Sequence, residues 1–227
     1  MSDGKPPPLS IQIVFCSPDG KTTEGPLIEC SSEPPRQFDD TSWDKDRCIR
    51  EFHGFLRNRD NDGLQAAVRA LDRLDCWREA FRQLITGRSP DEVLGGGLLS
   101  FWITYGLQSI PLALKGDLIL VIDAFKHLLP PYTGPALTLY RGELLSRNND
   151  RIYGLSWTPD FSVAKMFANR RHSLGEGPGV LLEMVATPDM IVASVEQTSS
   201  HEHTSWLGEK EYLIDPRLIR GVCVRAD

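Results

Sequence analysis

The hexapeptide PPYTGP at residues 130–135 divides the chain into two textures. Three prolines and a glycine in six residues end any helix and favour a turn. Ahead of it, apolar residues recur at helical spacing. Behind it, they fall in short runs bounded by Gly, Pro and Asp. Helices followed by strands, rather than alternating with them, specify an α+β fold. The expected architecture is a helical N-terminal part followed by a mainly antiparallel β core. No internal repeat is visible.

Residues 43–130 read as a helical subdomain. TSWDKDRCIREFHGFLRN carries Ile49, Phe52 and Phe55 at three-residue steps. LQAAVRALDRLDCWREAFRQLI (64–85) reads as one amphipathic helix, with Leu64, Ala67, Val68, Leu71, Leu74 and Phe81 on its stripe. SPDEVL (89–94) reads as a helix start, with Ser89 as N-cap and Pro90 at the first helical position. DLILVIDAFKHLL (117–129) fits a helix or a buried strand. The uncharged stretch 93–114 is about long enough to span a bilayer. Four glycines, Pro111 and the lack of a flanking Lys/Arg cluster favour instead one buried helix, or two short ones broken near Pro111. Residues 1–42, rich in Pro, Ser and Asp, read as an irregular segment with one strand-like run, IQIVFC (11–16).

Beyond the boundary, residues 136–143, 153–159, 180–186, 190–196, 211–215 and 219–226 read as strands, with a short helix at DFSVAKMFANRRH (160–172). Residues 131–227 form the strand-rich core, and 43–227 are expected to make one domain. The net charge of -6, from 25 basic and 31 acidic residues, offers no broad footprint for nucleic acid. The five cysteines are odd in number and contain no C-x-x-C pair, which fits reduced thiols in a cytosol. The start, MSDGKPPPLS, has no apolar signal-peptide core. The expected location is cytoplasmic, or inside a target cell reached without a Sec signal.

One charge pattern stands out. In GEKEYLI, Glu209 and Glu211 flank Lys210 just ahead of an apolar run. On a strand the two glutamates share a face, about 7 Å apart. Like charges so placed repel. Either this is a solvated strand end, or a site there uses two carboxylates.

Three pieces now stand in order: LTLYRGE around Arg141, LSWTPDFSVAKMFA around Ser156, and GEKEYLI around Glu211. Together they resemble the ADP-ribosyltransferase superfamily, in its cholera-toxin-like, arginine-directed Arg–Ser–Glu branch. The likeness covers residues 136–226. It implies a two-sheet core with an NAD cleft, NAD as co-substrate, no metal, and transfer of ADP-ribose to an arginine of a target protein. It further implies a bacterial or phage toxin or effector, for which an immunity or regulatory partner is left open.

The resemblance also assigns roles. Glu211 stabilises the oxocarbenium-like state through the ribose 2′-hydroxyl, and Glu209 orients the acceptor arginine and takes its proton. Arg141 pairs with an NAD phosphate, where a forked guanidinium suits phosphate oxygens. The backbone of Gly142, freed by its missing Cβ, meets the nicotinamide amide. Ser156 holds Glu211 and the ribose, and Thr158 supports the strand. The blander alternative for both is capping of the helix at 160. Arg170 or Arg171 contacts the diphosphate, or else complements a helix C-terminus. Phe167 stacks on nicotinamide or packs in the core. Trp206 engages the acceptor or covers the core. His201 and His203 form a His-x-His pair with no further ligand cluster, so no metal is expected. Trp157 departs from the small or hydroxylated residue usual in the motif and is expected to project away from Ser156. The competing readings are an NAD glycohydrolase, a transferase acting on nucleic acid, which the acidic charge opposes, and a binding module with no activity.

Overall fold

A computed structural model describes residues 10–16, 22–29, 36–86, 90–103, 114, 118–173, 177–195 and 210–225, with backbone alone for 10–16, 22–29 and 170–173. The chain forms two compact units, Met1–Phe38 and Asp39–Asp227.

The first unit holds an antiparallel hairpin of β1 (Ser10–Cys16) and β2 (Thr22–Glu29). This corrects the expectation of a segment with a single strand. Gly25 and Pro26 stand in mid-strand. In the hairpin they oppose Ile13 alone, between the Gln12–Leu27 and Val14–Glu24 pairs. A two-against-one bulge is where a strand accepts a residue with no N–H.

The second unit opens with helices α1 (Lys45–Asn58), α2 (Asn61–Leu74), α3 (Trp77–Ile85), α4 (Glu92–Phe101) and α5 (Ile119–Leu128). The single helix expected over 64–85 is two. Asp75 takes the left-handed conformation (φ 47°) as the C-cap of α2, and Trp77 Nε1 donates to Asp72 Oδ1 at 2.6 Å across the break. Aspartate is among the few residues that visit this region readily. The start of α4 also needs correcting. Its N-cap is Asp91, whose Oδ1 accepts from Leu94 N at 3.0 Å, so Pro90 precedes the helix and Ser89 lies outside the described residues. Within the run 117–129, Ile119–Leu128 is a helix and not a buried strand. The aromatic core of this part centres on Phe52, edge-on to Trp77 and to Phe101 at 5.7 Å each. Among the described residues, no helix is long and apolar enough to cross a membrane.

The C-terminal part runs β3 (Leu137–Leu144), α6 (Leu145–Asn149), β4 (Ser156–Trp157), α7 (Phe161–Ser173), β5 (Gly179–Ala186), β6 (Ile191–Ser194), β7 (Tyr212–Ile214) and β8 (Cys223–Arg225). One sheet has the order β3-β5-β8, the other β4-β7-β6, and every pairing is antiparallel. The class is therefore α+β. Among the described residues, one isolated bridge joins the sheets: Tyr140 and Thr158 exchange backbone hydrogen bonds at 2.7 and 3.0 Å. Leu139, Leu182 and Met184 from one sheet and Trp157, Ile191, Tyr212 and Ile214 from the other bury into one cluster.

An ion network ties α5 to the end of β7. Buried Asp215 accepts from Lys126 Nζ at 2.6 Å and from Arg217 Nε and Nη2 at 2.8 Å each, and Arg217 also reaches Asp123 at 2.9 Å. Burial alone would raise the Asp215 carboxyl. The donors from Arg217 and Lys126 outweigh it and hold the group down at about 2. A depressed carboxyl contributes stability that is complete above its unfolded pKa and is lost as pH falls through the folded value. Lys126 and Arg217 are both partly exposed, so solvent screens the pairs. Asp215→Asn is expected to cost roughly 1–2 kcal/mol at neutral pH, with the deficit vanishing between about pH 4 and pH 2 in urea-unfolding curves.

Candidate active site

The site is built where the two sheets meet. In the register of β4 against β7, Ser156 opposes Leu213 and Trp157 opposes Tyr212. Glu211, two residues before Leu213, therefore shares a face with Ser156 on the diagonal, within reach of its side chain. Trp157 alternates to the other face and is buried in the core, with its Nε1 donating to Gly154 O at 3.2 Å. Side-chain alternation thus resolves the one departure in the motif.

Arg141 reaches this place through β3. Its Nη1 donates to the Ser156 carbonyl at 2.5 Å and its Nε to Glu143 Oε2 at 2.9 Å. Gly154 leaves room for the guanidinium, since a Cβ there would stand 2.2 Å from Arg141 Nη2. Glu143, fully buried, also accepts from Leu144 N at 3.0 Å and pairs with Arg147 at 3.3 Å. Burial pushes its carboxyl up. Arg141 first, then Leu144 N–H and Arg147, hold it below the ordinary value. A charged clamp therefore locks the arginine strand to the serine strand. Glu143 is a residue that the motif reading passed over, although its i, i+2 spacing from Arg141 places both on one strand face.

Five buried side-chain polar atoms among the described residues lack a hydrogen bond. Two of them, Arg147 Nε and Glu183 Oε2, sit in ion pairs at 3.3 and 2.8 Å. The other three are Trp102 Nε1, Ser156 Oγ and Glu211 Oε1. These three converge. Ser156 and Trp102 lie close enough to Glu211 to favour its charged form, with further help from Arg141, yet neither completes a hydrogen bond of good geometry. Burial is the largest influence and drives the Glu211 carboxyl above its ordinary value. Buried polar atoms are rarely left unsatisfied without reason. A hydroxyl-bearing ligand would satisfy all three.

Comparison with family models, curated proteins and solved structures yields no match.

The remaining candidates are placed as follows. Gly142 is buried, and a Cβ on it would lie 2.2 Å from Ala168 N and 2.5 Å from Ala164 O. Its missing Cβ lets α7 lie against β3. Thr158 Oγ1 accepts from Asp160 N at 3.1 Å, and Asp160 Oδ1 accepts from Ser162 N and Val163 N at 2.8 and 3.1 Å. The capping role is present, and it falls to Thr158 and Asp160 rather than to Ser156. Phe167 is half-buried on α7. Arg170 and Arg171 are in α7, with side chains outside the described residues, and Trp206, Glu209, His201 and His203 lie outside them altogether. Among the described residues, no group of three or more His, Cys, Asp or Glu is arranged to hold a metal.

Proposed function

We propose that the protein is an NAD-dependent mono-ADP-ribosyltransferase that moves ADP-ribose from NAD to an arginine of a target protein, as a toxin or effector of the Arg–Ser–Glu branch. One observation carries the reading: a buried glutamate with an open acceptor oxygen faces an open serine hydroxyl, at the strand that an arginine clamps in place. The chemistry needs such a group. Breaking the bond between nicotinamide and ribose sends the electron pair out with nicotinamide and leaves positive charge on the ribose. A carboxylate that accepts from the ribose 2′-hydroxyl stabilises that charge, and a preformed, water-poor setting strengthens the effect. Arg141 acts in this scheme by fixing the Ser156 backbone and by lending positive charge to the neighbourhood of Glu211. Glu209 takes the proton from the acceptor guanidinium, a poor nucleophile until it loses one.

The test is incubation of the protein with NAD and a cell lysate, with mass spectrometry for nicotinamide and for ADP-ribosylated residues. ADP-ribosyl-arginine is the expected product. Glu209→Gln is expected to lower arginine transfer by about 10²-fold or more while retaining roughly a tenth or more of nicotinamide release. Equal loss of both activities would remove the division of labour between the glutamates. Nicotinamide and free ADP-ribose without protein modification would make the enzyme a glycohydrolase. Absence of NAD consumption would overturn the reading.

A further inference from the structure

We infer that Trp102, at the end of α4, is a positioning residue for Glu211: its indole N–H donates to one lone pair of Oε1 and leaves the other lone pair of that oxygen for the ligand. Three observations carry this. Trp102 is 2% exposed and its Nε1 has no partner among the described residues. Glu211, also buried, keeps Oε1 open. Trp102 also lies close enough to Glu211 to favour its charged form; an orphaned donor and an orphaned acceptor are each costly, and joining them removes both costs.

The inference gives the helical part a function. Trp102 belongs to the element that ends in the apolar run 93–114, and its side chain is delivered to a carboxylate that comes more than a hundred residues later. The indole N–H donates and cannot accept, so it favours the ionised carboxylate. Around Glu211, β3 brings the cation Arg141, β4 the hydroxyl of Ser156, and α4 the indole; burial opposes all three. With Trp102 removed, burial meets less resistance and the carboxyl moves further up.

The contribution of Trp102 to catalysis rests on the proposed role of Glu211 in ADP-ribose transfer, whereas its contact with Glu211 does not. The experiment therefore has two arms. In the first, without NAD, the Glu211 side-chain carboxyl is followed by carbon-13 NMR across pH, assigned with Glu211→Gln, in the wild type and in Trp102→Phe. The ring remains and the N–H is lost. Glu211 is expected to titrate about one pH unit higher in Trp102→Phe, since a hydrogen bond to a charged group shifts the equilibrium about tenfold. In the unsubstituted protein, the Trp102 indole nitrogen-15 signal is expected to move in step with Glu211, a readout that needs no variant to fold. In the second arm, the acid limb of NAD consumption moves up by the same interval in Trp102→Phe. Below that limb kcat falls about tenfold, while KM changes by less than about twofold. Unshifted titration, with an indole signal indifferent to Glu211, would overturn the inference even in an enzyme that consumes NAD. Shifted titration in a protein that never consumes NAD would uphold the contact and sink the transferase reading.

Discussion

Glu211→Gln should abolish NAD consumption and leave the protein as stable as before, or more so. The two effects share one cause. Glu211 is buried with one oxygen unpartnered, and burial drives its carboxyl above the ordinary value. A carboxyl with a raised folded pKa binds its proton more tightly folded than unfolded. Wild-type stability therefore falls as pH rises from the unfolded carboxyl value through the folded one. Glutamine keeps the shape and removes the charge. Thermal unfolding should show equal melting points near about pH 4 and a variant that is higher by a few degrees above neutrality, on the order of 1 kcal/mol. Over the same range nicotinamide release should drop by about 10²- to 10³-fold or more, the usual cost of losing one group that stabilises developing charge. A wild type clearly more stable than the variant at neutral pH would mean that the carboxylate is already satisfied, and the case for a ligand there would fail.

The second large effect concerns the fold. α4 carries three consecutive glycines, Gly95–Gly97, all buried. A Cβ on Gly97 would lie 1.8 Å from the carbonyl oxygen of Leu56 in α1. That neighbour is backbone and cannot swing aside. Gly97→Ala should therefore force the two helices apart at a cost of about 3 kcal/mol or more, despite alanine's better helix propensity. Gly96 is the control. Its Cβ would meet only the end of Arg59, at 3.2 Å. Gly96→Ala should be neutral or stabilising by up to about 1 kcal/mol. Denaturant unfolding of the pair separates helix propensity from close approach. Similar stabilities would show that α1 and α4 do not cross at Gly97. Because Trp102 sits one turn beyond Gly97, a displaced α4 should also disturb the site.

Helix existence was legible from periodicity, and the positions of the C-terminal strands from alternation and turn residues, whereas their order in the two sheets was not. The break at Asp75 was not, because an aspartate in an amphipathic stripe looks like any solvated helix position until its φ is known. The strand β2 was hidden by Gly25-Pro26, whose bulge exists only once β1 is opposite. Arg141, Ser156 and Glu211 were legible as a set because each lies on its own short element with its own local flank. Trp102 was not legible. It stands in an uncharged run where an aromatic reads as packing, and its relation to Glu211 is set by tertiary folding alone. Gly142 was picked out for its missing Cβ, and the neighbour that uses that space is α7, which no local sequence signal announces.

The bridge between the sheets has a mechanical consequence. Ser156 hangs on a ladder of two residue pairs to β7, whereas β3 and β5 share eight. Short ladders open at the lowest free energy, well below global unfolding. Ser156 therefore depends on the Arg141 clamp and the Tyr140–Thr158 bridge, more than on its own ladder, to stay in place. Any small molecule gripped between Ser156 and Glu211 acts there as a rivet, adding stability in proportion to the logarithm of its concentration. The molecule would be stiffest where its substrate is plentiful, and would loosen at its working seam as the substrate is spent.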